Sequence, residues 1–173
     1  MEEKLHYFAY GSNMSLPRLR KRVPRAEFLD SICVNGFTLV VNKRSIDGSA
    51  KCNLQTSADC HIWGVLYSIY SSDISLLDKA EGLGYGYNKE WIEISHRGAK
   101  LPIFFYIADS AHIREDMEPY DWYMQFVISG AEEHGFPEGY LHFLQQIPSK
   151  ADPDQNRSWM NQQILAHVPP RVD

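Results

Sequence analysis

The stretch Leu5-His6-Tyr7-Phe8-Ala9-Tyr10-Gly11-Ser12-Asn13-Met14, followed by Ser15-Leu16-Pro17-Arg18-Leu19, carries the reading of the fold. Leu5 to Tyr10 is a short apolar and aromatic run of strand character that stops at a glycine. Ser15, Pro17 and Leu19 then have the pattern of a capped helix start. The sequence therefore predicts a strand, a tight loop and a helix, with Tyr10-Gly11-Ser12-Asn13 at the turn. Such a loop can leave backbone N–H groups free for a carboxylate or an oxyanion. It can equally be an ordinary turn in which Ser12 or Asn13 bonds its own backbone.

Further strand runs follow at Phe28 to Val34, Phe37 to Val41, Cys52 to Thr56 and His61 to Tyr67. Asn35-Gly36 is the strongest hairpin signal between them, and Asp47-Gly48 is a second turn. After Ser71-Ser72, a plausible cap, Ile74, Leu77 and Ala80 recur at helical spacing until Gly82. Two more strands are expected at Trp91 to Ser95 and Leu101 to Ile107. Tyr120 to Glu133 places Tyr123, Phe126, Val127 and Gly130 on one helical stripe, ended by Gly135. Pro137 to Ile147 has the makings of one further short helix. The segment from Lys150 through Pro153, Asn156 and Arg157 reads as polar surface.

The length of 173 residues fits a single domain that buries roughly 70% of its unfolded surface. A formal net charge of −5 gives no whole-domain field that would gather nucleic acid or an anionic membrane. Arg18, Arg20, Lys21 and Arg22 form the one basic cluster and read as a solvated helical face, with a phosphate-binding patch as the alternative. Cys33, Cys52 and Cys60 lack the close pairing that zinc or a redox dithiol needs, and are expected to be reduced and buried. No apolar run approaches the ~20 residues of a membrane span, and Met1-Glu2-Glu3-Lys4 is not the opening of a signal peptide. The cytoplasm is the expected location.

Glu81 is the first candidate for chemistry. In a helix from Ser72 to Glu81 it falls between Ile74 and Leu77 on the apolar face, given about 100° per residue. Burial and the helix C-terminus both disfavour a charged carboxylate, so a strengthened base suited to proton transfer is the physical expectation. Periodicity alone equally allows a carboxylate that pairs with a cation at the edge of the core. Gly82, Gly84 and Gly86 follow a helix instead of joining a strand to one, so they read as flexible backbone beside a pocket and not as a nucleotide loop. Ser12 lacks a G-x-S-x-G setting, no H-E-x-x-H occurs, and no metal site is indicated.

Taken together, Tyr7-Phe8-Ala9-Tyr10-Gly11-Ser12-Asn13-Met14 and Leu77-Asp78-Lys79-Ala80-Glu81-Gly82 resemble the two signature stretches of the γ-glutamylcyclotransferase family. Cys52-Asn53-Leu54 and Ile62-Trp63-Gly64-Val65-Leu66-Tyr67 are similar to its central strands. Tyr123 through Gly130-Ala131, then Gly135-Phe136-Pro137, are similar to its late helix and turn. The resemblance covers roughly residues 5 to 148. It implies an α+β fold, a small mixed β-barrel flanked by helices, in a domain over 1–148 with a C-terminal extension over 149–173 that packs on it or trails from it.

The resemblance further implies an enzyme that cyclises a γ-glutamyl amide to 5-oxoproline and frees the amine, with no cofactor and no metal. Glu81 matches the catalytic acid/base. Tyr10, Gly11, Ser12 and Asn13 match the loop that cradles the γ-glutamyl group, and Tyr123 matches a pocket tyrosine. The partner implied is the small-molecule substrate, with no nucleic acid or membrane, and a monomer or homodimer. Cys52 departs from a small Ala, and Leu83-Gly84-Tyr85-Gly86-Tyr87 is unusually aromatic, which bears on substrate choice. The alternatives are a non-catalytic binding or regulatory module with the same pocket, and a scaffold using Tyr120, Trp122 and Trp159 as an exposed patch.

Overall fold

The structure, a computed structural model, describes residues 2–166, so Met1 and the end of the C-terminal extension, 167–173, lie outside the described residues. Five strands and five helices occur in the order β1 (Lys4–Ala9), α1 (Leu16–Arg22), β2 (Glu27–Arg44), β3 (Ala50–Tyr70), α2 (Ile74–Glu81), β4 (Tyr87–His96), β5 (Ala99–Ala108), α3 (Asp121–Glu133), α4 (Glu138–Gln145) and α5 (Gln155–Leu165). The sheet order is β2-β3-β1-β5-β4. β1 is antiparallel to β3 and parallel to β5, which makes the sheet mixed. The α+β class is as expected.

A central strand is covered on both faces and so reads as a continuous apolar run. That is why Tyr7, Phe8 and Ala9 are all buried. The core around them holds Tyr67 and Phe104 from the neighbouring strands, Leu19 and Leu77 from α1 and α2, and Phe126 from α3. The stripe Tyr123, Phe126, Val127 and Gly130 is buried as its spacing demands. Gly130 has a specific purpose there. A Cβ at this position would stand 2.7 Å from the backbone nitrogen of Ser15 and 2.7 Å from the Met14 Cβ, so only glycine lets α3 press on the loop after β1.

The sheet is not the closed barrel expected. Among the described residues the edge strands β2 and β4 form no ladder, and the far half of the β2–β3 ribbon meets the end of β5 and the segment after it through isolated contacts. The Asn53 side chain accepts from the Ala108 N–H at 2.8 Å, and the Arg114 N–H donates to the Asn42 carbonyl at 2.7 Å. Asn35-Gly36 is a second correction. It makes an irregularity inside β2 and not a hairpin: Asn35 pairs with His61 and Phe37 with Thr56, so Gly36 alone faces residues 57–60. The four short runs are therefore two long strands, joined at the Asp47-Gly48 turn. A left-handed glycine serves a bulge as well as a turn, and the sequence signal is the same for both.

Three surface expectations also change. Cys52 is buried, but Cys33 is exposed and Cys60 intermediate, all three as free thiols. Tyr120 and Trp122 are buried, leaving only Trp159 of the supposed aromatic patch in solvent. The stretch after Lys150 is not uniformly surface polar. The Asp152 side chain is fully buried, and it accepts from Trp122 Nε1 at 2.7 Å and from Arg157 Nη2 at 2.6 Å. This ties the start of α5 to α3. No helix among the described residues is long and apolar enough to cross a membrane.

The hydrogen bonds from Arg157, aided by Trp122, pull the Asp152 carboxyl from its ordinary 3.8 down to about 2. A depressed folded-state value means that the stabilisation is present above the unfolded value and is lost as pH falls through the folded one. The stability difference between the native protein and Asp152→Asn, read by urea unfolding at a series of pH values, is expected to be full above about pH 4 and to shrink toward pH 2. A difference independent of pH over that range would contradict the assignment.

Candidate active site

The site lies where β1 ends. Tyr10 and Gly11 leave the strand, Ser12–Met14 forms a single 3-10 turn, and α1 follows from Leu16. Met14 N–H returns to the Gly11 carbonyl at 2.9 Å. The N–H groups of Ser12 and Asn13 have no protein acceptor among the described residues. Ser15 occupies the N-cap of α1, yet its hydroxyl is buried without a partner and does not cap. The helix start is held by Pro17 and by packing instead.

Glu81 is the last residue of α2. Gly82 stops the helix there in a left-handed conformation at φ 70° and ψ 46°, returning its N–H to the carbonyls of Asp78 and Lys79. The Glu81 side chain is 15% exposed and points at the β1 loop. Its Oε1 accepts from Asn13 Nδ2 at 2.8 Å and from Arg22 Nη1 at 2.6 Å. Arg22 Nη1 also donates to Asn13 Oδ1 at 2.9 Å, and Asn13 Nδ2 reaches the Tyr7 hydroxyl at 3.1 Å. Carboxylate, amide and guanidinium thus close a triangle. Glu81 Oε2 makes no hydrogen bond to a described residue. Of the two readings that helical spacing left open for Glu81, the structure shows the carboxylate paired with a cation at the edge of the core: it is partly buried beside Arg22, at a cleft and not in an apolar pocket.

The inner cleft is walled by tyrosines. Tyr7, Tyr10, Tyr87, Tyr106 and Tyr123 line it together with Gly11, Ser12, Asn13, Cys52 and Glu81. Burial raises the hydroxyl pKa values of Tyr7, Tyr10, Tyr87 and Tyr123, and nearby Glu81 acts in the same direction, so all four remain neutral. Burial likewise pushes the Cys52 thiol up to about 11.

The tyrosines are held by the backbone. Tyr10 donates to the Tyr106 carbonyl, and Tyr87 donates to the Cys52 carbonyl at 2.6 Å. The Tyr123 hydroxyl accepts the Cys52 N–H at 2.9 Å, so both polar groups of that residue end on phenols. Cys52 lies against the loop, its Cβ 3.1 Å from where a side chain at position 11 would begin. Of the unusual aromatic run after Glu81, Tyr87 enters the cleft and Tyr85 is in solvent.

A second, outer cleft shares Ser12, Glu81, Tyr87 and Tyr123 with the first, and is lined by Arg18, Arg22, Lys43 and Lys51. The sequence had pointed to a solvated basic face on α1. Arg20 and Lys21 are exposed to solvent or nearly so, but Arg18 and Arg22 turn into the cleft. The signal available was their spacing of four, which puts both on one side of a helix. Lys43 and Lys51 come from paired strands and carried no such signal. Every residue expected at the site, Tyr10, Gly11, Ser12, Asn13, Glu81 and Tyr123, lies on the inner cleft. Among the described residues no group of His, Cys, Asp and Glu side chains is placed to hold a metal ion.

The chain is 31% identical over 154 residues to the γ-glutamylcyclotransferase of Mus musculus, across 84% of this chain and 79% of the mouse protein. The chain belongs to the γ-glutamylcyclotransferase family. The Homo sapiens γ-glutamylcyclotransferase is 27% identical over 154 residues, across 84% of this chain and 80% of its own length. Residues 61–144 match the AIG2-like family. A solved γ-glutamyl cyclotransferase superposes with a TM-score of 0.80 at 23% identity, covering 93% of this chain and 99% of that one, which speaks for the shared fold. The β1 loop and the end of α2, the two stretches singled out in the sequence, meet at Asn13 and Glu81.

Tyr123 supports the wall from behind as well as lining it. Tyr123→Phe removes the acceptor of a buried backbone N–H, which is expected to cost roughly 1–3 kcal/mol. Chemical unfolding of the two proteins measures it. A change within error of zero would mean that the Cys52 N–H is satisfied in another way.

Proposed function

We propose that the protein is a γ-glutamylcyclotransferase that converts a γ-glutamyl amide to 5-oxoproline and a free amine, with Glu81 as the proton-transferring group. The observation that carries this reading is the 2.8 Å hydrogen bond between Asn13 and Glu81, residues 68 apart in sequence. It joins a loop whose Ser12 and Asn13 amides have no acceptor among the described residues to a carboxylate aimed into a small cleft walled by neutral phenols. The family relationship supports the same reaction class.

In this reading the α-carboxylate of the γ-glutamyl group sits on the free N–H groups of Ser12 and Asn13, with Tyr10 and Tyr123 framing the chain and Gly11 leaving room for it. The α-ammonium lies at Glu81, whose Oε2 has no hydrogen-bond partner among the described residues. Glu81 removes one ammonium proton, and the freed amine attacks the γ-carbonyl carbon to form the ring C–N bond. Holding both ends of the substrate makes this closure effectively intramolecular and pre-oriented. Collapse of the tetrahedral intermediate breaks the amide C–N bond. Two of the three ammonium protons end on the departing amine, one of them through Glu81, and the third stays on the ring nitrogen. The amine leaves protonated.

Arg22 has two tasks here. It orients the Glu81 carboxylate through Oε1, and with Asn13 it leaves the other oxygen for the substrate. The cleft needs no redox group for this chemistry, since no atom changes oxidation state.

The test is 5-oxoproline release from a panel of γ-glutamyl amino acids and amines by the native protein and Glu81→Gln. The variant keeps the side-chain shape but cannot accept the proton, and kcat is expected to fall about 100- to 10,000-fold while thermal unfolding still shows a folded protein. No release by the native protein from any substrate would favour a binding module that retains the pocket. Equal rates in the two proteins would remove Glu81 from the chemistry.

A further inference from the structure

The described residues balance only two of the four cations of the outer cleft, which are Arg18, Arg22, Lys43 and Lys51. Arg22 pairs with Glu81 at 2.6 Å, and Lys51 pairs with Asp47 at 2.7 Å. Arg18 and Lys43 have no carboxylate within ion-pair distance among the described residues. Arg18 has only neutral partners: Nε donates to Ser12 Oγ at 3.1 Å and Nη1 to Asn161 Oδ1 at 3.0 Å, with the guanidinium 4.4 Å from the centre of the Phe126 ring. Lys43 is only 8% exposed, and its Nζ lies 4.6 Å from the centre of the Tyr87 ring without a hydrogen bond to any described residue.

Holding these charges together is unfavourable. Burial lowers the Lys51 amine to about 8, with Arg18 and Lys43 pushing in the same direction against the lift from Asp47. Burial also lowers Lys43 and Arg18, although a guanidinium remains charged at neutral pH. Two unmatched, largely desolvated cations beside a reacting carboxylate are a device for binding negative charge.

Their place on the substrate follows from the cyclisation reading, on which this inference rests. Glu81 handles protons at both nitrogens, so the bond to be broken lies beside it. The two clefts meet at Glu81, and the γ-glutamyl half takes the tyrosine-walled one. The departing half then crosses into the outer cleft and faces Lys43 and Arg18.

We propose that the outer cleft is an anion subsite for the leaving amine, built on Lys43 and Arg18 with Lys51 behind them, and that the preferred γ-glutamyl amide releases an amine bearing two anionic groups, as a dicarboxylic amino acid does. A monocarboxylic leaving group satisfies one of the two cations, and a neutral alkylamine satisfies neither. Selection works through binding of the departing half, with Glu81 chemistry common to all three.

The experiment compares kcat/KM for γ-glutamyl amides of a dicarboxylic amino acid, of its side-chain carboxamide counterpart and of an alkylamine, at low and high salt. The dicarboxylate is expected to exceed the alkylamide by roughly tenfold to a hundredfold, the carboxamide to lie between them, and the advantage to erode with salt. Lys43→Gln is expected to cut the dicarboxylate-to-alkylamide ratio about tenfold, mainly through KM, and Lys43→Arg to restore most of it. Equal kcat/KM across the three substrates in the native protein overturns the proposal without any variant, as does an unchanged ratio in a folded Lys43→Gln. Release from none of the three would instead strike the cyclisation reading itself.

Discussion

The contact between Asn13 and Glu81 is the constraint on which the site depends, because it joins two segments that reach it by separate routes. The β1 loop is delivered by the central strand, whose position is fixed by β3 on one side and β5 on the other. Glu81 is delivered by a short helix that ends on it, since Gly82 takes the left-handed cap. Neither segment closes the cleft alone. Arg22, from the helix that the loop itself begins, bonds both partners and converts a single hydrogen bond into a three-sided arrangement. A carboxylate held on one oxygen in this way has its other oxygen in a defined direction, which is what a proton-transfer step to a bound substrate requires.

Close packing behind the loop has the same effect. Gly130 admits the Met14–Ser15 backbone to van der Waals contact with α3, while the Tyr67 hydroxyl holds the Met14 carbonyl at 2.6 Å. The loop therefore has little freedom to turn its amides away from the cleft. Rigid elements hold the loop, and the Ser12 and Asn13 N–H groups, which have no acceptor among the described residues, are those the local turn cannot use.

Much of this was legible in the sequence, and the limits have physical causes. The strand–loop–helix opening, the helix ending at Glu81 and the buried stripe of α3 all follow from periods and caps that act within a few residues. The Asn35-Gly36 signal failed because a glycine at positive φ fits a bulge as readily as a hairpin, and the choice depends on the partner strand. Arg18 and Arg22 failed for another reason. A basic helical face is ordinarily solvated, and only the arrival of α2 and the β2–β3 ribbon turns this one into a cleft wall. Asp152 lay in a polar stretch whose burial requires Trp122 from α3. In each case the missing information was the identity of a neighbour far away in sequence.

The two clefts also differ in how they present charge. The inner wall is phenolic and neutral, and its hydroxyls are largely spent on backbone groups, so what faces a ligand is mostly ring surface and fixed geometry. The outer wall is cationic and includes the long side chains of Lys43 and Lys51. Glu81 stands at the boundary, with neutral dipoles on one side and positive charge on the other. On the proposed reading the substrate ammonium lies against Glu81 in the inner cleft, and the departing half, on the outer side, faces Lys43 and Arg18. On the same reading the substrate lies across the carboxylate before any bond changes, and Lys43 and Arg18 add to the field that aligns it without touching the reacting atoms.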